Sequence, residues 1–159
     1  MPITNRRPDA AAPRREMVVA HGDPRSSPFD NLLGTRFLEL GPNRVVAELE
    51  VTPRLHQPAG IVHGAVHCAL VEHVASTGAY LWLTRDGGSP DGRVVGITNH
   101  TDFLRAVSDG ILTATGLPVH RGRTVQLWEV GIANEHGTHV ARGSVRLMNL
   151  GPQGMAPLP

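Results

Sequence analysis

The sequence has little of three features that define common classes of protein. It contains a single cysteine among 159 residues, which excludes a disulfide framework within the chain. Its formal net charge is only +1, so a basic surface for nucleic acid and an acidic tail are both missing. No apolar run reaches the roughly 18 residues that a membrane span needs. These absences predict a cytoplasmic protein with no nucleic-acid partner and no membrane span.

The chain divides into a central part and two tails of different composition. Residues 1–27 are rich in Pro, Arg, Ala, Asp and Ser and have little apolar content, with no run as long as the apolar region of a secretory signal, which predicts a disordered or loosely attached tail. Residues 151–159 are rich in Pro and Gly and are predicted to fray. Residues 28–150 are therefore expected to form the one folded domain, since this length supports one hydrophobic core but hardly two.

The strongest structural signal is the run from His63 to Thr84, which lacks proline and is rich in Ala, Leu and Val. Its apolar residues recur mostly at three- and four-residue spacings, which predicts a helix. Pro58 and Gly60 precede the run and require the helix to begin after them. Because polar residues are sparse around the helix, the pattern indicates a helix that is buried on most of its surface.

Six β-like runs surround this helix, two before it and four after it: residues 35–40, 43–52, 93–106, 110–119, 123–134 and 138–149. A short helical turn is predicted at residues 29–33. The segments 120–122 and 135–137 each contain Gly and are interpreted as turns between strands. The order β-β-α-β-β-β-β predicts an α+β fold in which a curved antiparallel sheet is wrapped around one long central helix.

Residues that can carry chemistry lie at two places on the predicted helix. The first N–H groups of a helix lack helical partners and carry positive partial charge, and Gly64 lets another group approach them closely. Two turns later Glu72 is a carboxylate in an apolar context, and Ser76 lies on the same face. These residues suggest an electrophile-activating donor and a base or nucleophile. In the alternative interpretation, Gly64 only eases packing and Glu72 pairs with a basic side chain.

Five residues at fixed spacings, set in this element order, carry a resemblance to a known family: Gln57, His63, Gly64, Glu72 and Ser76. Over residues 29–150 the chain resembles the hotdog-fold acyl-CoA thioesterases of the PaaI-like branch. It is similar to the 4-hydroxybenzoyl-CoA thioesterases that carry a glutamate on the central helix. Many PaaI-like members have Asn in place of Gln57, a second Gly in place of Ala65 and Asp in place of Glu72.

The resemblance implies a role for each of the five residues. The N–H of Gly64 would polarise the thioester carbonyl, and Glu72 would act as nucleophile or as general base for water. Gln57 and His63 would flank the thioester, and Ser76 would lie beside the attacking group. In this family the site lies between two subunits, so Gly64 of one chain would face Glu72 of the other.

The spacing on the helix independently favours a site that is shared across a dimer. Eight residues at about 100° each place Gly64 and Glu72 on different faces of the helix, so the two cannot easily converge on one small substrate. A homodimer is therefore expected, with pairing of dimers into a homotetramer as the next step.

Histidines on the same helix raise the question of a metal. His63 and His67 have the i, i+4 spacing of a zinc helix, and Glu72 follows. Glu72 lies about 180° around the helix from His63, however, so the three side chains cannot meet at one ion. No metal and no other cofactor is expected.

Four further residues are candidates for binding the acyl-CoA substrate. Arg121 and Arg123 belong to the predicted basic turn and could bind the CoA phosphates; the alternative is a solvated turn or salt-bridge partners. Asn99 and Thr101 interrupt an apolar strand and could line the acyl pocket. Other pocket candidates are Leu55, Val71, Ala75, Phe103 and Leu104. Because aromatic residues make up only 4% of the chain, aryl and aliphatic acyl groups both stay open.

Hydrolysis of an acyl-CoA to a free acid and CoA is the leading functional hypothesis. One alternative is a hotdog-fold dehydratase or hydratase that acts on an acyl thioester with His63 or His67 as base. The other alternative is a non-catalytic acyl-CoA binding protein that keeps the fold. The glycine at the helix start, together with Gln57, favours hydrolysis over dehydration.

Overall fold

The computed structural model describes residues 27–151, so nearly all of the two predicted tails lies outside the described residues. The elements are α1 (Pro28–Leu33), β1 (Arg36–Leu40), β2 (Val45–Glu50), a 3₁₀ turn (Pro53–Leu55), α2 (Gly64–Leu83), β3 (Arg93–Phe103), β4 (Ile111–Arg121), β5 (Val125–Ala133) and β6 (His139–Leu150). The predicted order of one long helix between two and four strands is confirmed.

The six strands form one antiparallel sheet in the order β1-β2-β4-β5-β6-β3. The sheet curves around α2, and the core lies between its concave face and the helix. Trp128 and Val130 of β5 and Leu70 and Val74 of α2 are fully enclosed there. Although β3 is the first strand after the helix, it pairs only with β6 and so forms an edge of the sheet.

The bounds of α2 follow from local signals in the sequence. His63 is the N-cap residue, and its Nδ1 accepts a hydrogen bond from the N–H of Ala65 at 3.0 Å. The helix ends at Thr84, whose N–H donates to the carbonyl of Tyr80 at 2.9 Å, before a loop that is rich in glycine. The helix therefore occupies the predicted run almost to the residue.

Three buried polar side chains attach the C-terminal half of α2 to the sheet. Gln126 Nε2 donates to the carbonyl of Ala79 at 3.1 Å and to Asn149 Oδ1 at 2.7 Å. Trp128 Nε1 donates to Gln126 Oε1 at 3.0 Å. Asn149 Nδ2 in turn donates to two backbone carbonyls in the turn between β4 and β5. Each side chain in this network has a partner, so the network fixes the helix without leaving a buried polar group unpaired.

The prediction of a turn at residues 120–122 was wrong by two residues. His120 and Arg121 belong to β4 and pair with Leu127 and Gln126 of β5. The pairing shifts by one residue just after Pro118, which has no N–H to donate to a neighbouring strand. This bulge absorbs the proline and lets the strand continue, so the turn falls after Arg121.

Candidate active site

The Glu72 side chain is half-buried between α2 and β3. Its Oε1 accepts a hydrogen bond from Ser76 Oγ at 3.2 Å, and its Oε2 accepts one from Asn99 Nδ2 at 3.2 Å. Asn99 is itself positioned by Thr101, whose Oγ1 donates to Asn99 Oδ1 at 2.7 Å. A carboxylate has about four acceptor positions and these hydrogen bonds occupy two of them, so its oxygens keep lone pairs for a water molecule or an electrophile. Four of the residues singled out from the sequence thus form one hydrogen-bonded group.

A β-bulge in β3 brings the strand backbone close to the same carboxylate. The pairing of β3 with β6 shifts by one residue between Gly96 and Thr98, which turns both Gly96 and Asn99 toward α2. A Cβ atom at position 96 would collide with Glu72 Oε1. The sequence interpretation missed Gly96, and the available signal was a lone glycine inside a strand.

The start of α2 holds a backbone donor with no partner. The cap formed by His63 takes up the N–H of Ala65, and within residues 27–151 no acceptor takes up the N–H of Gly64. This N–H lies at the positive end of a 20-residue helix. Such a position favours an oxygen that carries negative charge.

An open cleft of about 270 Å³ lies at this end of α2, and Gln57 and Gly64 belong to its lining. The cleft is bounded by the loop before α2 and by the segment after β3. These two segments are joined by a hydrogen bond from the N–H of Val62 to the carbonyl of Val107 at 2.8 Å. Gln57 Oε1 accepts from the N–H of Ala59 at 2.7 Å, which leaves the amide nitrogen of Gln57 as a donor.

The apolar walls of the cleft agree only in part with the sequence interpretation. Phe103 and Leu104 line it, as expected. Val71 and Ala75 do not, because both are fully enclosed in the core between α2 and the sheet. The difference arises because helix periodicity identifies buried positions and does not separate a core contact from a pocket wall.

Gly64 and Glu72 are separated more by their distance along the axis of α2 than by their angle around it. Both residues lie on the side of α2 that faces β3. A Cβ atom on Gly64 would come within 2.9 Å of the Phe103 ring, and Glu72 bonds to Asn99. An offset of about 80° around the axis does not put them on opposite faces, but eight residues span about 12 Å along it. One small reacting group therefore cannot contact both in the same chain.

The structure does not bring Arg121 and Arg123 into this group of residues. Arg121 Nη1 donates to the carbonyl of Pro42 at 2.9 Å and to Asn43 Oδ1 at 2.7 Å. Its guanidinium carbon lies 5.7 Å from the ring centre of Trp82, in the last turn of α2. Arg123 is exposed in the turn after β4. Their role as phosphate ligands stays a prediction.

Two general properties of the described residues complete this picture. Within residues 27–151, no group of three or more His, Cys, Asp and Glu side chains is arranged to hold a metal ion. No helix in that range is long and apolar enough to cross a membrane. The cytoplasmic setting stays a prediction.

Comparison with known proteins agrees with this fold. The model of the thioesterase superfamily matches residues 59–141, a segment that contains α2, β3 and most of the residues that line the cleft. The chain belongs to the thioesterase superfamily, and its structure has the hotdog fold. Its reaction class is the hydrolysis of thioesters.

The chain is also similar to individual members of this superfamily. It is 46% identical over 143 residues to Rv1847 of Mycobacterium tuberculosis, whose assignment as an esterase is provisional; the match covers 90% of this chain and 94% of the relative. The solved structure of that protein matches with a TM-score of 0.74 and 48% identity, covering 79% of this chain and 98% of the other. The 1,4-dihydroxy-2-naphthoyl-CoA hydrolase of Listeria monocytogenes is 35% identical over 103 residues, covering 65% of this chain and 80% of the hydrolase.

Proposed function

We propose that this protein is an acyl-CoA thioesterase that hydrolyses its substrate to a free acid and CoA. The N–H of Gly64 polarises the thioester carbonyl, and Glu72 of the partner subunit acts as general base or as nucleophile. The observation that carries this proposal is the unpaired N–H at the start of α2, next to the cleft. It supplies a fixed positive site for the developing oxyanion.

The chemistry requires these two groups and little else. Attack on the thioester carbonyl puts negative charge on its oxygen, and one preorganised donor is typically worth about 3–4 kcal/mol in the transition state. The attacking oxygen comes from Glu72 or from a water molecule that Glu72 deprotonates. Ser76 and Asn99 orient the carboxylate. Gln57 supplies a further donor near the thioester.

The edge strand β3 supports a second chain as the source of the carboxylate. Its outer backbone edge pairs with no strand among residues 27–151. It also exposes apolar side chains, with Val95 at 43%, Ile97 at 48% and Phe103 at 57% of their full exposure. Long apolar edge strands are normally covered or paired, because they otherwise bind other edges. A second copy that pairs through β3 satisfies this requirement.

The side-chain directions along β3 restrict the registers that are open to such a pair. Asn99, Thr101 and Phe103 point toward α2, whereas the side chains of His100 and Asp102 are 81% and 64% exposed. Directly opposite residues of an antiparallel pair point to the same face, so the two-fold axis has to pass through a residue. Among the registers that meet this condition, the proposed shared site requires an axis near His100, because that axis would set the partner's bulge, and with it Glu72, opposite Phe103 and Gly64.

The assay that tests the proposed function is thiol release from a panel of short, medium, long and aryl acyl-CoAs. We expect turnover by the wild type and a decrease of about 10²–10⁴-fold in kcat for Glu72→Gln, with acyl-CoA binding retained. Glu50→Gln, which changes an exposed glutamate at the end of β2, is the matched control and keeps full activity. Normal turnover by Glu72→Gln would remove this residue from the mechanism.

The same panel separates the alternatives. Binding of every acyl-CoA without thiol release by the wild type would favour a non-catalytic binding protein. Loss of water from a 3-hydroxyacyl-CoA would favour the dehydratase, for which His67 is available because it lies in the cleft. Pairing of dimers into a tetramer is a further prediction, which sedimentation of the wild type tests.

A further inference from the structure

One polar side chain of the cleft has no role in the mechanism above. His67 lies one turn after Gly64 and belongs to the lining of the cleft. The other surroundings are mostly apolar, with Ile61, Val62 and Leu104 among them. Ligand pockets of this kind usually hold a few polar groups that set the orientation of the ligand. His67 has the position of such a group.

The imidazole of His67 is enclosed but has no internal partner. The residue keeps only 4% of its full exposure. Within residues 27–151, its Nδ1 is buried and makes no hydrogen bond. Its nearest aromatic neighbour is Phe103, with ring centroids 6.0 Å apart. A structural histidine in a core is normally hydrogen-bonded, because an unpaired buried polar group costs about 1–3 kcal/mol.

The burial of Nδ1 favours one tautomer of the neutral His67 ring. A buried N–H without an acceptor is rarer than a buried lone pair without a donor, so we assign Nδ1 as the unprotonated nitrogen. Burial also lowers the pKa of His67, which keeps the ring neutral near pH 7. The hydrogen of the neutral ring then lies on Nε2. A molecule in the cleft is the remaining source of an acceptor for this N–H.

We propose that His67 selects acyl groups that carry an oxygen atom, because its Nε2–H donates a hydrogen bond to a hydroxyl or keto oxygen of the substrate. This inference rests on the proposed function, since it assumes that the thioester carbonyl is held by the N–H of Gly64. One helical turn, about 5 Å, separates the two residues along α2. The recognised oxygen therefore lies a few bonds from the thioester carbon.

The experiment compares acyl-CoAs in matched pairs that differ by one oxygen: butyryl with 3-hydroxybutyryl, and benzoyl with each of its three monohydroxy isomers. For the wild type, we expect at least one oxygenated member to have a kcat/KM about tenfold higher than its partner. His67→Phe keeps a ring of similar size without the N–H, and its ratio should fall to about one. His67→Gln keeps a donor and should retain part of the preference.

The ratio within a pair distinguishes recognition of the acyl oxygen from other roles. A purely structural role of His67, or a contact with the pantetheine arm, would lower kcat/KM equally for both members, and that result would overturn the inference. Equal ratios in the wild type and in His67→Phe for every pair would also overturn it, while leaving the thioesterase intact. Absence of thiol release from all substrates would instead refute the proposed function.

Discussion

The two halves of α2 differ in whether the polar groups beside them have hydrogen-bond partners. In the C-terminal half, Gln126, Trp128 and Asn149 form a buried network around the carbonyl of Ala79 in which each side chain has a partner. In the N-terminal half, the N–H of Gly64 and the Nδ1 of His67 have no partner among residues 27–151, and an open cleft lies beside them. The polar groups of the C-terminal half find their hydrogen-bond partners within the chain, whereas those two groups of the N-terminal half do not.

This difference separates the groups that stabilise the fold from the groups that are available for chemistry. A satisfied network lowers the free energy of the folded state and offers nothing to a ligand. Unpaired polar groups lower stability, but a free donor such as the N–H of Gly64 binds an anionic oxygen without first breaking internal hydrogen bonds. Substitutions in the C-terminal half should therefore lower mainly the free energy of unfolding. Substitutions in the N-terminal half should lower mainly the turnover.

The largest effect is expected for the proposed dependence of the site on a second chain. Ile97→Lys puts a charge on the exposed edge of β3, which should convert the proposed dimer to a folded monomer and lower kcat/KM by at least about 100-fold. Sedimentation and thiol release at the same protein concentration measure the two effects. Val119→Lys, at an equally exposed position on β4, is the control. Full activity in a monomer would refute the shared site.

A large loss of stability is expected from breaking the network of the C-terminal half. Gln126→Ala leaves Trp128 Nε1, Asn149 Oδ1 and the carbonyl of Ala79 without their partner. The free energy of unfolding should fall by about 3 kcal/mol, as measured by chemical denaturation. Turnover per folded molecule should stay close to that of the wild type. A variant as stable as the wild type would show that the network contributes little.

A glycine-to-alanine substitution in each half of α2 compares the effects on stability and on turnover directly. A methyl group at Gly78 would lie 2.5 Å from the fully buried ring of Trp128, so Gly78→Ala should lower the free energy of unfolding by about 1–3 kcal/mol. At Gly64 the methyl group meets Phe103, whose exposed ring can move. Gly64→Ala should keep its stability and lose about tenfold in kcat. The opposite pattern would contradict the division between the halves.

The smallest effect is expected from pH and concerns His73 of α2. Burial lowers the pKa of His73, and the carboxylate of Asp30, 3.1 Å from its Nδ1, partly opposes this effect. The unfolded chain therefore takes up a proton at a higher pH than the folded chain does. Stability is kept above the ordinary pKa of 6.5 and decreases as the pH falls below it. Tm should thus be lower at pH 5.5 than at pH 7.5.

A variant isolates the contribution of this histidine from that of other groups. His73→Gln should reduce the change in Tm between the two pH values, because the neutral side chain takes up no proton. His100→Gln, at an exposed position on β3, should leave the change as it is in the wild type. An unchanged pH dependence in His73→Gln would assign the effect to other groups.

The parts of the fold that depend on neighbours in the sequence could be predicted. The run after Pro58 and Gly60 predicted the helix closely, because breakers, a capping residue and apolar spacing all act within a few residues. Residues 43–52 were predicted as a strand from local sequence as well, and β2 lies within them. The β4 boundary was missed because it depends on pairing with Gln126 and Leu127 in a different strand.

The sequence by itself determined the elements of this protein, their order and the residue types at the start and in the middle of α2. These are consequences of local geometry, which holds wherever the chain lies. Only the tertiary structure decided that β3 is an edge strand, that a bulge turns Gly96 and Asn99 to Glu72, and that His67 lines a cleft. Those features arise from contacts between distant segments, and the periodicity of one segment contains no information about its distant partners.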